Sequence, residues 1–250
     1  MYIRSVHAER DLRVLRKLIH DNPLGFLTTA IRSSSHPFLQ TSHIPFVLDV
    51  NDESSEIELG RLRGHLARQN PHSKAMIEVL TSTPKSANFL EEEVLVLFNA
   101  PAHHYVTPKF YTETKPATGK VVPTWNYAAV QAYGRAKIFF DSRSDTTSMF
   151  LQKQIEDLSH HNETVTMGYT GEAGRPSEWK VSDAPERYIQ LLKKNIIGIE
   201  IEIHRLEGKF KMSQEMGQGD RKGVVEGFAK LGSDTADWIS DTVGRCASTQ

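Results

Sequence analysis

The residues that carry the most chemistry per position lie in one run, Lys115-Pro-Ala-Thr-Gly-Lys-Val-Val-Pro-Thr-Trp-Asn-Tyr127. Pro116 and Gly119 interrupt regular structure, and Pro123 fixes φ and removes a backbone donor. A plain solvent loop is built more simply from Gly, Ser and Asp. A lysine, two threonines, a tryptophan and an asparagine among these breakers predict a shaped loop that presents donors and an aromatic face.

Four other segments invite a chemical reading, and each also has a plain one. In Thr41-Ser-His-Ile-Pro45, strand alternation puts Thr41 and His43 on one face and Ser42 and Ile44 on the other. This is a pocket rim or a strand end with satisfied hydroxyls. In Arg61-Leu-Arg-Gly-His-Leu-Ala-Arg-Gln-Asn-Pro71, Arg63 and His65 share a face, and Arg68 precedes a helix that Asn70-Pro71 would start. An arginine fork, a helix N-terminus and a histidine all offer N–H groups or positive charge to a phosphate. The alternative is a surface arginine beside an ordinary helix cap. His103 and His104 are neighbours on a predicted strand and point to opposite faces, so a zinc or haem site there needs partners the local sequence does not show. Lys209, Lys211 and Ser213, with Arg221-Lys222, form the one concentrated basic stretch: an anion site, or a solvated edge strand whose lysines discourage aggregation. No Gly-x-Ser-x-Gly, Cys–His pairing or His-Glu-x-x-His is present, so hydrolase chemistry has no support.

The elements around these segments read as short strands with helices between them. Helical spacing of Leu12, Leu15 and Ile19 predicts a helix over 9–21. Strands are predicted over 24–31, 38–48 (interrupted at Pro45), 56–66, 93–99, 102–111, 127–141, 196–206 and 209–213. Gly134 reads as a bend or bulge, and Glu207-Gly208 as a turn. Helices are predicted from Pro71 and over 145–159. Another begins at the capping pattern Asp183-Ala-Pro-Glu186 and would bury Tyr188, Leu191 and Leu192. A last helix is capped by Asp220, with Val224, Phe228 and Leu231 on one stripe. Residues 81–88 and 160–180 read as loops. Hairpin-like strands without βαβ alternation or a glycine-rich phosphate fingerprint predict an antiparallel barrel with helices at its ends, not a Rossmann domain. One domain is expected over 1–231, with a helical excursion about 142–195 and a polar tail over 232–250.

At 250 residues the chain can bury a sizeable core unaided. Its formal net charge of −1 provides no global field for nucleic acid or an anionic membrane. The single cysteine, Cys246, rules out an intrachain disulfide and a cysteine-built metal site. No signal peptide or membrane-length apolar run is evident, so a cytoplasmic protein is expected, or a nuclear one where the cell has a nucleus.

These segments, in this order, closely resemble the PaiB-type family of FMN-binding negative transcriptional regulators. The resemblance runs through Met1-Tyr, Thr41-Ser-His-Ile-Pro, Gly64-His-Leu-Ala-Arg-Gln-Asn-Pro, Glu93-Val-Leu-Val, the Lys115–Tyr127 run and Tyr133-Gly-Arg-Ala. It continues through Ser182-Asp-Ala-Pro, Gly198-Ile-Glu-Ile-Glu-Ile, Arg205-Leu-Glu-Gly-Lys and Lys211-Met-Ser-Gln. It implies a mainly β, α+β fold: an antiparallel split β-barrel with peripheral helices, like that of pyridoxamine-phosphate oxidases, binding FMN as a homodimer. It further implies cofactor contacts from Thr41, Ser42, His43, His65, Ala67, Arg68 and Asn70 on one side. On the other stand Lys120, Val121, Val122, Thr124, Trp125 and Asn126. Arg68, His65 and the Asn70 helix start would serve the phosphate, Lys120, Thr124 and Asn126 the ribityl or ring polar atoms, and Trp125 would cover the ring. The functions that follow are flavin redox chemistry with a nicotinamide donor, or a flavin-sensing regulator of transcription acting through DNA or a partner. A haem-binding or haem-degrading split barrel is the alternative. No residue stands out as general base or nucleophile, and no helix-turn-helix is evident.

Overall fold

A computed structural model describes residues 1–82 and 87–248. In chain order its strands are β1 (Ala8–Glu9), β2 (Leu24–Ala30), β3 (Leu39–Pro45), β4 (Val47–Asp49), β5 (Arg61–Ala67), β6 (Val94–Val106), β7 (Thr124–Phe139) and β8 (Ile196–Lys211). The helices are α1 (Leu12–Asp21), α2 (Pro71–Ser82), α3 (Thr114–Thr118), α4 (Asp145–His161), α5 (Glu186–Lys193), α6 (Gln218–Ala229) and α7 (Asp234–Ser248). The chain divides into two compact units. The first comprises 1–18, 99–131 and 207–250, the second 19–98 and 132–206.

In the second unit the strands form a barrel. The sheet order is β3-β2-β6-β7-β8-β5-β4, and β3 and β4 are separated only by Phe46. One continuous stretch therefore pairs with β2 on one side and with β5 on the other, which closes the ring. Its β2–β3 and β5–β8 pairings are antiparallel, with Leu27 opposite Ser42 and His65 opposite Gly198. Gly64 makes the closure possible, since a Cβ there would meet Ile44 at 2.8 Å and Phe46 at 2.9 Å. The interior is built from Leu27, Ile44, Phe46, Leu62, Val96, Phe98, Ile138 and Ile197, all buried. The fold is thus the antiparallel, mainly β split barrel with helices that the sequence implied.

In the first unit β1 pairs with the end of β8, Ala8 opposite Lys209. Leu15, Val106, Val130, Met212, Val224 and Phe228 are buried there. Residues 234–248, expected as a polar tail, instead form a helix that buries Ala236, Ile239 and Val243.

Several expectations are corrected. The strands predicted over 93–99 and 102–111 are one strand, β6. Pro101 lies beyond the β2 ladder, which covers only Leu95–Leu97, so its missing N–H breaks no bond to β2. The strands predicted over 196–206 and 209–213 are likewise one, β8. Gly208 marks a close approach rather than a turn, since a Cβ on it would run into Leu15 and Glu9. Gly134 is no bend either, and lies within β7 where a Cβ would collide with the Glu202 carbonyl oxygen. The third strand starts only at Arg61, after Gly60 at φ +85°. Tyr188, Leu191 and Leu192 of α5 are exposed, not buried. Asp183 closes a short 3-10 turn by accepting from the Lys180 amide, and Pro185 precedes α5. Leu231 is exposed and lies beyond α6. The loop expected over 81–88 falls partly on 83–86, outside the described residues.

Candidate functional site

The distinctive run sits in the first unit and is pinned at both ends. At its start, Asp220 lies inside the first turn of α6, buried, and its carboxylate accepts from the Glu113 amide at 2.8 Å and the Thr114 amide at 3.1 Å. Asp220 was expected to cap α6, but Gly217 holds that place and the carboxylate serves the neighbouring segment instead. Burial alone would raise the Asp220 pKa, but these hydrogen bonds outweigh it and bring the carboxyl below its ordinary value. The run continues into α3, one and a half turns ended by Gly119 in the left-handed region at φ +66°.

At its far end the run enters β7. Asn126, fully buried, exchanges hydrogen bonds with Ser213, its Nδ2 donating to Ser213 Oγ at 3.1 Å. Ser213 holds φ +62°, a left-handed conformation that a non-glycine residue keeps only when its surroundings impose it. The Lys211 ammonium donates to Thr124 Oγ1 and, at 3.0 Å, to the Trp125 carbonyl. Its Nζ also stands 3.8 Å from Glu215, whose other oxygen meets Nε2 of the buried His7 at 2.9 Å. Burial lowers the Lys211 pKa against the pull of Glu215. Burial would raise Glu215, but the His7 hydrogen bond and the Lys211 charge bring it down overall.

Between these two anchors the side chains are open to solvent. Lys120 is exposed, Val121 half-buried and Val122 74% exposed. Trp125 is 53% exposed, with the His103 and Tyr105 rings 6.1 and 6.2 Å from its ring. His104 points elsewhere, its ring edge-on to Phe228 at 5.2 Å. The basic stretch read as an anion site or a solvated edge is therefore an internal brace at Lys211. Lys209 lies 5.3 Å over the Tyr127 ring.

The other candidates sit in the second unit. Alternation along β3 leaves Thr41 and His43 exposed and turns Ser42 inward. Thr41 shares a 2.9 Å hydrogen bond with Thr28, and His43 packs edge-on against Phe26 at 4.4 Å. Ser42 spends its hydroxyl on His72, a residue the sequence reading passed over. His72 Nδ1 lies 2.9 Å from Ser42 and Nε2 lies 2.8 Å from Thr29, all three buried. Burial lowers its pKa to about 4, so the ring is neutral at physiological pH. Asn70 acts as the helix cap, accepting from the His72 amide at 2.9 Å. Arg68 braces the chain by donating Nε to the Lys194 carbonyl at 3.1 Å and Nη2 to the Phe140 carbonyl. Ala67 is exposed at the end of β5. Arg63, which the phosphate reading included, is consumed: it is buried and bonds Asp49 at 2.7 Å and Asp157 at 2.6 Å. His65 differs from its neighbours, because its buried Nδ1 has no hydrogen-bond partner and burial lowers its pKa.

Of the candidate residues, Lys120 in the first unit and Thr41 and His43 in the second are exposed, the Thr41 hydroxyl already being bonded to Thr28, and His65 Nδ1 is buried but unsatisfied. Within the first unit, a half-exposed Trp125 on a fixed backbone and the exposed Lys120 belong to one run; within the second, His65 Nδ1 is a buried nitrogen without a hydrogen-bond partner. A separate open cleft of about 480 Å³ in the second unit is lined by Asp49, Glu58, Arg61, Phe89, Arg135 and Glu202, among others, and by none of the candidate residues. Among the described residues no cluster of three or more metal-ligating side chains occurs, and no helix is long and apolar enough to cross a membrane.

Comparison with known proteins gives this arrangement a family. Residues 1–205 match the model of the family described as "Putative FMN-binding domain". A protein of Emericella nidulans is 62% identical, over 97% of this chain and 96% of its own length. One of Aspergillus fumigatus is 58% identical, with the same coverage. The protease synthase and sporulation protein PAI 2 of Bacillus subtilis is 24% identical over 90% of this chain and 88% of its own. The family's description names FMN rather than haem. With its central run, its antiparallel barrel and this match over most of its length, the chain belongs to the FMN-binding domain family that its motifs resembled.

Proposed function

We propose that the protein is an FMN-binding flavoprotein that performs redox chemistry with a reduced nicotinamide as donor. The observation that carries this reading is Trp125: its ring is half exposed while its carbonyl and both neighbours, Thr124 and Asn126, are tied down. A flat aromatic face on a fixed backbone favours stacking with a planar heterocycle. Lys120, exposed in the same run, would offer positive charge to the cofactor's anionic groups. In the second unit, taken by itself, Thr41 and His43 are exposed and His65 Nδ1 lacks a partner, so these are the polar groups there that we propose for ligand contact. Bound FMN would accept and pass on the hydride, and the protein's part is to hold and shield it. We also propose a second copy of the chain as the partner that covers Val122.

Titration of the purified protein with FMN tests this. Flavin fluorescence should be quenched on binding. Trp125→Ala and Lys120→Ala should each weaken binding about tenfold, roughly 1.4 kcal/mol. NADH or NADPH should bleach the flavin band in a stopped-flow instrument, and light scattering should give twice the chain mass. A folded, colourless protein that leaves FMN fluorescence unchanged would overturn the flavin reading.

A further inference from the structure

The family match ends at residue 205, yet the groups that hold the central run come from beyond it. Lys211 closes β8, and its ammonium reaches both the Thr124 side chain and the Trp125 carbonyl. A carbonyl and a hydroxyl on consecutive residues, both held by one cation, fix the backbone from which the indole projects. Lys211 is itself held. Only 18% of its side chain is exposed, and Glu215 lies 3.8 Å away. Glu215 is in turn anchored by the buried His7 at 2.9 Å. Two residues on, Ser213 keeps its left-handed backbone and pairs with Asn126. Three successive residues of the run, Thr124 to Asn126, are thus positioned by Lys211 and Ser213. A lysine placed for solubility on an edge strand would point into water. This one turns inward and uses its ammonium on one short segment.

We propose that Lys211 is the positioning residue for the aromatic face of the flavin site: it sets where the Trp125 ring stands, and it acts on the cofactor only through Thr124 and Trp125. The inference rests on the flavin reading above for its functional consequence. Its structural part can be read without any cofactor.

The experiment uses the full chain with Trp179→Phe and Trp238→Phe, leaving Trp125 as its one tryptophan. Into this background go Lys211→Met, which keeps the apolar stem, Lys211→Arg, which keeps a charged donor, and Thr124→Val. Acrylamide quenching of Trp125 is measured in the free protein, and FMN affinity by flavin fluorescence. Lys211→Met should raise the quenching constant by about half through local loosening, with Lys211→Arg in between. Lys211→Met and Thr124→Val should each weaken FMN about tenfold, and the double variant no more than either alone, because coupled residues are not additive. In a Trp125→Ala background, read by flavin fluorescence alone, Lys211→Met should cost clearly less than its tenfold effect with Trp125 present, since only the route through Thr124 remains.

A Lys211→Met effect on FMN that persists undiminished without Trp125 overturns the proposal, since Lys211 would then meet the ligand directly. Quenching of Trp125 that does not change in folded Lys211→Met overturns it as well. If the unsubstituted protein binds no FMN while Lys211→Met still loosens Trp125, the flavin reading falls and the positioning of the ring by Lys211 stands.

Discussion

Ser42 Oγ and His72 Nδ1 lie 2.9 Å apart inside the barrel, and the other ring nitrogen of His72 meets Thr29 at 2.8 Å. One imidazole thereby ties α2 to two neighbouring strands. Burial holds its pKa at about 4, against 6.5 for the ordinary group. The unfolded chain takes up this proton near pH 6.5 and the folded chain only near 4. The contribution is therefore fully present above pH 6.5, falls as pH drops, and levels off below 4. Its size is about 3 kcal/mol. His65 is lowered by burial too, and acts in the same direction. Urea unfolding from pH 7.5 to 4 should show this loss, and His72→Gln should flatten much of it. A profile that His72→Gln leaves unchanged would assign the pH dependence elsewhere.

Arg63 is the charge the barrel can least spare. It is almost fully buried and bonds Asp49 and Asp157, whose side chains are about one-third exposed. Arg63→Met should cost about 2–4 kcal/mol in chemical denaturation, at the lower end of the range for breaking a buried pair because both carboxylates keep contact with water. A loss below 0.5 kcal/mol would show that the pair is solvated in solution.

Gly134 and Gly119 should respond differently to alanine. At Gly134 the added methyl collides with the Glu202 backbone oxygen, so a strand must shift, at about 1–3 kcal/mol or more. At Gly119 nothing lies within 4 Å, and only the left-handed φ of +66° resists. That costs about 1–2 kcal/mol. Thermal melting of the two variants checks the order.

Asp220→Ala removes the acceptor for the Glu113 and Thr114 amides. It should destabilise by about 1–3 kcal/mol, because two backbone donors lose their partner. Hydrogen exchange at Glu113 and Thr114 should accelerate, while the Asn126 amide, held within β7, should not change.

Much of this protein was readable in the chain itself. Strand-favouring residues over 24–31 and apolar alternation over 196–206 marked strands, and Asn70-Pro71 marked the start of α2, because such signals depend on the local backbone. The composition of 115–127 marked that run as special, and its motifs named the family. What local pattern could not decide was where each side chain spends its hydrogen bonds. Ser42, Arg68 and Asn126 looked like donors awaiting a ligand, yet their partners His72, Phe140 and Ser213 lie 30 to 87 residues away. Glycines showed the same limit: Gly134 and Gly208 resembled bends until neighbouring elements proved to leave no room for a methyl group. Sequence determined the elements and the kinship because short-range propensity and motif order are written along the chain. Tertiary structure alone decided which polar groups are consumed and which stay free, because that depends on contacts between segments far apart in sequence.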